Sequence, residues 1–325
     1  MPGHDKPDFD HPYDVDDEIA RLRAHKEARE VSEPSHDRLL LATWNIANLG
    51  VQERREKDHK LIAEIISWFD LIAIQEVNNN LEGLRGIEAQ LPGERYRTLF
   101  SDPGGNSERF VFLYDTEKVE LLDEIGRVTV PPKDLPSVSL PGVPGEFKGF
   151  DRNPYLASFR ASSLEFVLAN VHLYFGKGKS KDSEEAPSGM DRRCLEAFAV
   201  SRWADLRRDD DDAYTNNVLA LGDFNLPKRD KSDPVFQALT ARGLQLPEHS
   251  TKVLGSNLDG DAHYDQMAVF PGPMEDAIKA MGVFDFDSAV FPGLWSEDEK
   301  EQNKFQSYVK YYLSDHRPLW AALAI

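Results

Sequence analysis

The sequence has almost no cysteine and comparatively few basic residues. Cys194 is the single cysteine among 325 residues, so no intramolecular disulfide can form, which fits a reducing compartment without proving one. Lysine and arginine number 38 against 57 aspartates and glutamates, which gives a formal net charge of −19. This balance argues against attraction to nucleic acid through overall charge, although it leaves room for a local basic face.

The sequence also lacks any long apolar run. Its first twenty residues are acidic and contain no apolar stretch, so they resemble neither a signal peptide nor a membrane anchor. No later segment is long and apolar enough to span a bilayer. We therefore expect a cytoplasmic protein without membrane insertion, while noting that a processed secreted form would have the same features.

The composition that is present divides the chain into two zones. Hydrophobic residues make up 40% of the sequence, enough for a sizeable core at this length. Residues 1–37 hold eleven acidic against five basic residues, which predicts a solvated acidic extension with a polar helix over 16–30. The Pro/Gly-rich stretch 130–149 predicts a long loop. Because residues of interest lie on both sides of that loop, we predict one catalytic domain over 38–325.

Short apolar runs and helical periodicities predict an α/β fold. The predicted strands cover 39–46, 70–77, 96–100, 108–114, 155–161, 165–173, 217–224, 265–270 and 317–325. The predicted helices cover 59–69, 190–208 and 233–244. Two packed sheets flanked by helices would bury this many apolar strands.

Polar side chains recur at the ends of five of these apolar runs. They are Asn45, Glu76, Asn170 with His172, Asp223 with Asn225, and Asp315 with His316. Burying such groups is costly unless they pair with each other or bind a cation, so their recurrence predicts one shared site. Carboxylate and amide oxygens suit hard cations such as Mg²⁺, Mn²⁺ or Ca²⁺, whereas zinc would need more histidine or cysteine.

Five motifs carry a family resemblance. TWNIANLG, QEV, ANVHL, GDFN and SDHRP occur in this order, each at a strand end, and resemble the endonuclease/exonuclease/phosphatase superfamily over residues 38–325. The resemblance implies a hydrolase with a four-layer α/β sandwich, in which two packed, mostly antiparallel sheets are flanked by helices. It also implies one active site at the sheet edges.

The resemblance assigns roles to the polar residues of these motifs. Asn45, Glu76 and Asp315 match positions that bind or support the metal ion. Asp223 and Asn225 match the pair that contacts the scissile phosphate and the nucleophile side. The expected cofactor is Mg²⁺, with Mn²⁺ or Ca²⁺ as substitutes.

Two histidines select a branch of the superfamily. His316 matches the catalytic histidine, and Asp265 stands where the family has the carboxylate that holds it. His172 matches deoxyribonuclease I-like and sphingomyelinase-like members, whereas abasic-site repair endonucleases have tyrosine there. Glu108 resembles the carboxylate that supports this second histidine, and Arg152 an arginine next to the phosphate.

The implied mechanism is metal-assisted hydrolysis of a phosphodiester. His316 would take a proton from the attacking water, and His172 would protonate the leaving oxygen, although the sequence does not decide which histidine does which. Asn170, Asn225 and Arg152 would orient the phosphate. The chain is therefore expected to be a metal-binding phosphodiesterase, and more specifically an endonuclease.

Two basic loops favour DNA as the substrate. FGKGKSK follows His172 and PKRDK follows GDFN, so both loops lie at the expected active edge. Their basic residues are Lys177, Lys179 and Lys181, then Lys228, Arg229 and Lys231. Such local positive charge is what a phosphate backbone requires.

Two alternatives remain open. A sphingomyelinase-like or other phospholipid or phosphate-ester hydrolase shares His172 and would need an exposed apolar hairpin, for which FPGLW (291–295) is the only short candidate. Inositol-phosphatase members usually carry Trp-Cys-Asp-Arg where this chain has HYDQ. A catalytically inactive scaffold is the other alternative, and the intact Glu76, Asp223, Asp265 and His316 argue against it. The sequence does not indicate the oligomeric state.

Overall fold

Two β-sheets with helices on their outer faces make up the computed structural model, which describes residues 3–176, 189–251, 253 and 255–325. The strands are β1 Arg38–Leu49, β2 Leu71–Asn78, β3 Tyr96–Phe100, β4 Glu108–Asp115, β5 Glu120–Arg127, β6 Tyr155–Ala161, β7 Leu164–His172, β8 Val218–Asp223, β9 Asp265–Val269, β10 Ile278–Val283 and β11 Leu319–Ala324. The helices are α1 Val15–Ala28, α2 Glu56–Ile66, α3 Glu82–Glu88, α4 Gly189–Arg208, α5 Pro234–Thr240, α6 Pro273–Ala277 and α7 Glu299–Tyr312.

The two sheets are mixed but mostly antiparallel. The first has the order β10-β11-β1-β2-β4-β3 and the second the order β5-β6-β7-β8-β9. One parallel pair lies inside each sheet, β1 with β2 and β7 with β8. The strands of both pairs are buried along most of their length because they are covered by the other sheet on one face and by helices on the other. This architecture confirms the predicted four-layer α/β sandwich.

Three apolar clusters hold the four layers together. Between the sheets, side chains such as Leu41, Phe112 and Leu221 interdigitate. The outer face of the first sheet packs against α1, α2 and α7, and the outer face of the second packs against α4 and α5. Among the described residues, no helix is both long and apolar enough to cross a bilayer.

The N-terminal segment differs from the solvated extension that its composition predicted. Helix α1 is present, but Ile19 and Leu22 are buried in the core cluster against the first sheet. Val15, Ile19 and Leu22 recur at helical spacing and form a narrow apolar stripe. Some polar side chains of α1 also pair with the rest of the protein, as His25 does with Asp285 at 2.8 Å. The division into an extension over 1–37 and a catalytic domain over 38–325 stays a prediction.

Five further elements were missed by the sequence analysis, namely the strands β5 and β10 and the helices α3, α6 and α7. Strand β5 lies at a sheet edge and is only partly buried, so its sequence is nearly as polar as a loop. Helix α7 does carry a signal, because Phe305, Tyr308, Val309 and Tyr312 recur at helical spacing and are all buried. The predicted long loop over 130–149 is confirmed, apart from a short 3-10 helix at Pro132–Ser137.

Candidate active site at the sheet edges

The C-terminal ends of the two parallel pairs meet at one edge of the sandwich. Asn45 of β1 shows this directly, because its Nδ2 donates to Glu76 Oε1 at 3.1 Å and to Asp223 Oδ2 at 3.0 Å. Glu76 belongs to β2 of the same sheet, whereas Asp223 ends β8 of the other sheet. All three side chains are buried. One amide therefore bridges two carboxylates across the two sheets.

The backbone around these residues is locally strained. Glu76, Asn48 and Asn225 have positive φ angles of 59°, 49° and 48°, a region that costs non-glycine residues about 1–3 kcal/mol. The strain lets the Asn48 N–H donate to Glu76 Oε2 at 2.9 Å and the Asn225 N–H donate to Asp223 Oδ1 at 2.8 Å. Both carboxylates are thereby held in place by backbone.

Glycine is required in the GDFN motif for a steric reason. Gly222 has a φ of 136°, and a Cβ on it would lie 2.0 Å from the carbonyl oxygen of Val171 on the neighbouring strand β7. The close approach of the two strands keeps His172 and Asp223 in register at their ends.

His316 is paired with Asp265, as the resemblance implied. Asp265 Oδ2 lies 2.7 Å from His316 Nδ1, and both side chains are buried. An ionised carboxylate only accepts hydrogen bonds, so Nδ1 donates and Nε2 faces the site. Burial alone would lower the pKa of His316, but the charges of Asp265 and Asp223 outweigh it and raise this pKa well above its usual value.

His172 is paired more loosely with Glu108. Its Nδ1 lies 3.4 Å from Glu108 Oε2, and neither ring nitrogen forms a hydrogen bond with the described residues by distance and angle. Glu108 Oε2 also accepts from Arg152 Nη1 at 2.9 Å. Burial would raise the pKa of Glu108, but His172 and Arg152 outweigh it and lower this pKa to about 2. Glu108 is therefore ionised and is shared by two partners, His172 and Arg152.

The two histidines converge on a single oxygen. Asp223 Oδ2 lies 3.6 Å from His172 Nε2 and 3.8 Å from His316 Nε2. Burial would raise the pKa of Asp223, but the two imidazoles outweigh it and keep the pKa low. Both distances are too long for direct hydrogen bonds. The arrangement thus brings one ring nitrogen of each histidine close to the same carboxylate oxygen.

The oxygen set at Asn45 and Glu76 fits a hard cation. Asn45 Oδ1 is buried and has no hydrogen-bond partner among the described residues, a cost that a cation would remove. Within the same described ranges, no three His, Cys, Asp or Glu side chains are grouped closely enough to hold a metal by themselves. Mg²⁺ does not need three such side chains, because it is usually held by one or two carboxylates and keeps several waters.

Arg54 is a charged group beside the site that the sequence analysis missed. Its Nη2 donates to the carbonyl oxygens of Ala47 at 2.6 Å and Leu313 at 2.9 Å, while its buried Nη1 forms no hydrogen bond within the described part of the chain. Burial lowers the pKa of Arg54 to about 10, and the charges of Asp58, Asp315 and Glu76 oppose this shift. No sequence signal marks this arginine beyond its position shortly after TWNIANLG.

Two residues predicted to contact phosphate, Arg152 and Asn225, form hydrogen bonds within the protein. Arg152 donates Nε to the His172 carbonyl and Nη2 to the Leu173 carbonyl, both at 3.2 Å, in addition to its bond to Glu108. Asn225 Nδ2 donates to the Leu173 carbonyl at 2.9 Å. These contacts make Arg152 and Asn225 anchors of the segment after β7, and their direct contact with phosphate stays a prediction.

Asn170 lies deeper than a phosphate-binding residue needs to. Its Nδ2 donates to the carbonyl oxygens of Ile74 and Val111, and its Oδ1 accepts from Gln75 Nε2 at 2.6 Å. The side chain therefore bridges the two sheets, and contact with phosphate would require these bonds to break. Gln75, just before Glu76, was missed as its partner because a buried bridge of this kind is not visible in one strand's sequence.

The predicted basic loops are only partly within the described residues. Lys177, Lys179 and Lys181 lie outside them. Lys228 and Lys231 are exposed after GDFN. Arg229 turns inward and donates to the carbonyl oxygens of Leu246 and Pro247.

An aromatic pair beside His316 was also missed. The ring of Tyr264 lies 5.7 Å from that of His316, and the ring of Phe175 lies 6.4 Å from that of Tyr264. Phe175 is exposed. Tyr264 directly precedes Asp265 in the sequence, and this adjacency was the available signal.

Comparison with known proteins agrees with this fold. No protein-family model matches the chain. A curated protein of Thioalkalivibrio sp. (strain K90mix) named Deoxyribonuclease is 30% identical over 196 residues, which are 58% of this chain and 46% of that relative. The chain thus spans about half the length of the curated relative it matches.

Solved structures extend the comparison over most of the chain. An endonuclease/exonuclease/phosphatase family protein from Bacteroides thetaiotaomicron is 18% identical with a TM-score of 0.55, covering 88% of this chain and 94% of its own. D. rerio TDP2 complexed with single strand DNA product is 14% identical with a TM-score of 0.54, covering 89% and 99%. The chain therefore has the fold of endonuclease/exonuclease/phosphatase proteins, which confirms the resemblance found in its motifs.

Proposed function

We propose that the chain is a divalent-metal-dependent phosphodiesterase that cuts DNA as an endonuclease. The observation that carries this proposal is the approach of His172 Nε2 and His316 Nε2 to the same Asp223 oxygen, at 3.6 and 3.8 Å. Phosphodiester hydrolysis needs one group to remove a proton from water and another to protonate the leaving oxygen. Two histidines at one carboxylate supply both groups.

The proposed cation site consists of Asn45, Glu76 and Asp315. The unpartnered Oδ1 of Asn45 and the carboxylate of Glu76 are oxygen donors of the type that Mg²⁺, Mn²⁺ or Ca²⁺ prefers. A bound cation would neutralise charge on the phosphoryl oxygens. The charges of Glu76 and Asp315 act on Arg54, so this arginine places positive charge beside the proposed cation site.

His316 is the proposed base and His172 the proposed acid. Asp265 accepts from His316 Nδ1 and leaves Nε2 facing the site; because Asp265 and Asp223 raise the pKa of His316, only the neutral fraction of this imidazole would take the proton from water. Glu108 Oε2 lies 3.4 Å from His172 Nδ1, which leaves Nε2 as the ring nitrogen that would pass a proton to the leaving oxygen. Asp223 Oδ2 lies 3.6 and 3.8 Å from the two Nε2 atoms, which places its charge beside both rings.

DNA is the proposed substrate rather than a lipid. The relative named Deoxyribonuclease and the structure of D. rerio TDP2 with a single strand DNA product support a nucleic acid. The segment 291–295, which was the candidate for a membrane hairpin, is not an apolar protrusion. Of its three large apolar residues, Phe291 is fully buried against Tyr13 and Tyr308, Leu294 is partly buried, and Trp295 is exposed.

A cleavage panel tests this proposal. Supercoiled plasmid, RNA, sphingomyelin vesicles and an inositol phosphate are incubated with the protein in Mg²⁺, Mn²⁺, Ca²⁺ or excess chelator. We expect nicking of the plasmid with a cation and none with chelator. Full activity in chelator would remove the metal requirement, and preferential release of phosphocholine would replace the nuclease with the lipid hydrolase.

A further inference from the structure

Residues 3–13, here called the N-terminal strap, run from helix α1 to the candidate metal site. Lys6 Nζ forms an ion pair with Glu53 at 2.9 Å, and Asp10 Oδ1 accepts from Arg55 Nη1 at 2.9 Å. The ring of Phe9 stacks on Tyr308 of α7 with 5.9 Å between centroids. These contacts are spread along the strap and define its path over the segment between β1 and α2.

The strap is firmly attached to the core at its last residue, Tyr13. Tyr13 donates its hydroxyl to Asp58 Oδ1 at 2.6 Å and packs on the buried ring of Phe291 at 4.9 Å. Helix α1 follows at once and begins with Asp14, whose side chain accepts from the backbone N–H groups of Asp16 and Asp17. The strap therefore extends from a fixed base.

The outer part of the strap ends on a residue of the candidate metal site. His4 Nε2 lies 3.0 Å from Asp315 Oδ2, and the two side chains are 33% and 29% exposed. Asp315 is the one member of the proposed set that the Asn45 bridge does not reach, since that amide bonds Glu76 and Asp223. Without His4, no described side chain would hydrogen-bond the Asp315 carboxylate.

We propose that His4 is a positioning residue of the metal site, and that the N-terminal strap delivers its imidazole to fix the Asp315 carboxylate for the cation. The imidazole donates from Nε2 to one carboxylate oxygen, which leaves the other oxygen free. Partners of this kind orient a ligand and typically contribute 10–100-fold to metal affinity. This inference rests on the proposed function, because it takes Asp315 as a metal-site residue.

The contact between His4 and Asp315 could also inhibit metal binding, and an experiment separates this effect from the positioning role. If His4 occupied the place of the cation, it would compete with metal and the strap would be inhibitory. The two readings predict opposite changes in affinity when the imidazole is removed. Metal binding itself, measured without substrate, therefore decides between them.

The test is calorimetric titration of Mn²⁺ into the full chain and three variants. For His4→Ala, we expect metal affinity to fall by about 10-fold, at the lower end of the range for an orienting partner. His4→Gln keeps a donor for Asp315 and should restore most of that affinity. His36→Ala removes an exposed imidazole elsewhere on the surface and should bind Mn²⁺ like the parent chain. Thermal melting of each variant checks that the fold is intact.

Each result has a definite meaning. Unchanged affinity in His4→Ala overturns the positioning role, and raised affinity overturns it in favour of a competing strap. A loss that His4→Gln does not recover also overturns it, since the hydrogen bond would then not be the cause. A parent chain that binds no Mn²⁺ overturns the proposed metal-dependent function itself, and the role of His4 with it.

Discussion

The two histidine–carboxylate pairs differ in geometry. His316 Nδ1 lies 2.7 Å from Asp265 Oδ2, within hydrogen-bond distance. His172 Nδ1 lies 3.4 Å from Glu108 Oε2, and this oxygen also accepts a hydrogen bond from Arg152. Arg152 in turn donates to the backbone carbonyls of His172 and Leu173. Asp265 therefore acts on the charge of its histidine, while Glu108 also secures the arginine that fixes the segment after β7. Two similar pairs in the sequence thus have different physical tasks.

The largest expected effect comes from removing either imidazole. His316→Ala and His172→Ala should each lower the turnover number on plasmid DNA by roughly 10²–10⁴-fold, the usual contribution of a general acid or base. Substrate affinity should change much less, so we would measure kcat and KM separately. Near-native turnover in His172→Ala would leave a mechanism with one histidine, and the comparison of two pairs would lose its basis.

A smaller effect separates the two carboxylates. Asp265→Asn and Glu108→Gln should both lower kcat within the roughly 10–100-fold range for an orienting partner, with Asp265→Asn at the upper end. The physical reason is that Asp265 bonds its histidine directly, whereas the charge of Glu108 is partly neutralised by Arg152. The pH profile of kcat should shift more in Asp265→Asn. Equal losses and equal shifts in the two variants would contradict the division of tasks.

The last prediction concerns the stability of the fold and not turnover, and it involves Glu108. Its pKa is lowered to about 2 in the folded protein, so it stabilises the fold above its ordinary pKa and loses that contribution as pH falls towards 2. The pKa falls from its ordinary 4.5 to about 2, and one pKa unit corresponds to about 1.4 kcal/mol, so Glu108→Gln should lower the free energy of unfolding by about 3 kcal/mol at pH 7. The difference from the parent chain should shrink between pH 5 and pH 3.

Urea unfolding at pH 7, 5, 4 and 3 measures this difference. The exposed Glu117 provides the matched control, because Glu117→Gln removes the same charge at a distant 4.0 Å contact with Arg95. We expect no pH-dependent difference in that control. A Glu108→Gln deficit that stays constant with pH would show that the loss is steric and not electrostatic.

Much of the fold could be predicted because its strands are locally distinctive. The runs that became β1, β2, β7 and β8 are buried on both faces, and an apolar run bounded by polar residues is recognisable without knowing its neighbours. The edge strand β5 was missed because partial burial leaves it with a polar sequence. Helix α1 was predicted as a helix, but its burial was not, because only three apolar residues signal its contact with the core.

In the candidate site, too, the sequence marked some features and left others undetermined. Glu76, Asp223 and His316 end or adjoin apolar runs, so the contrast between an apolar strand and a buried polar end marked them in the sequence. The resemblance of the motifs implied that these ends meet at the sheet edges, and the two parallel pairs that bring them together were found only in the structure. Their roles in catalysis, together with the assignments of Asn170, Asn225 and Arg152, stay predictions.

By itself, the sequence determined which residues end the buried strands, and hence the core of the candidate site, because burial and strand polarity are local properties. Only the tertiary structure decided how the charged residues pair. Arg152 became an internal anchor, Arg54 came to lie near Glu76 and Asp315, and His4 reached Asp315 across 311 positions. A charged side chain has the same local sequence whether it faces water or a distant partner, so folding alone selects the partner.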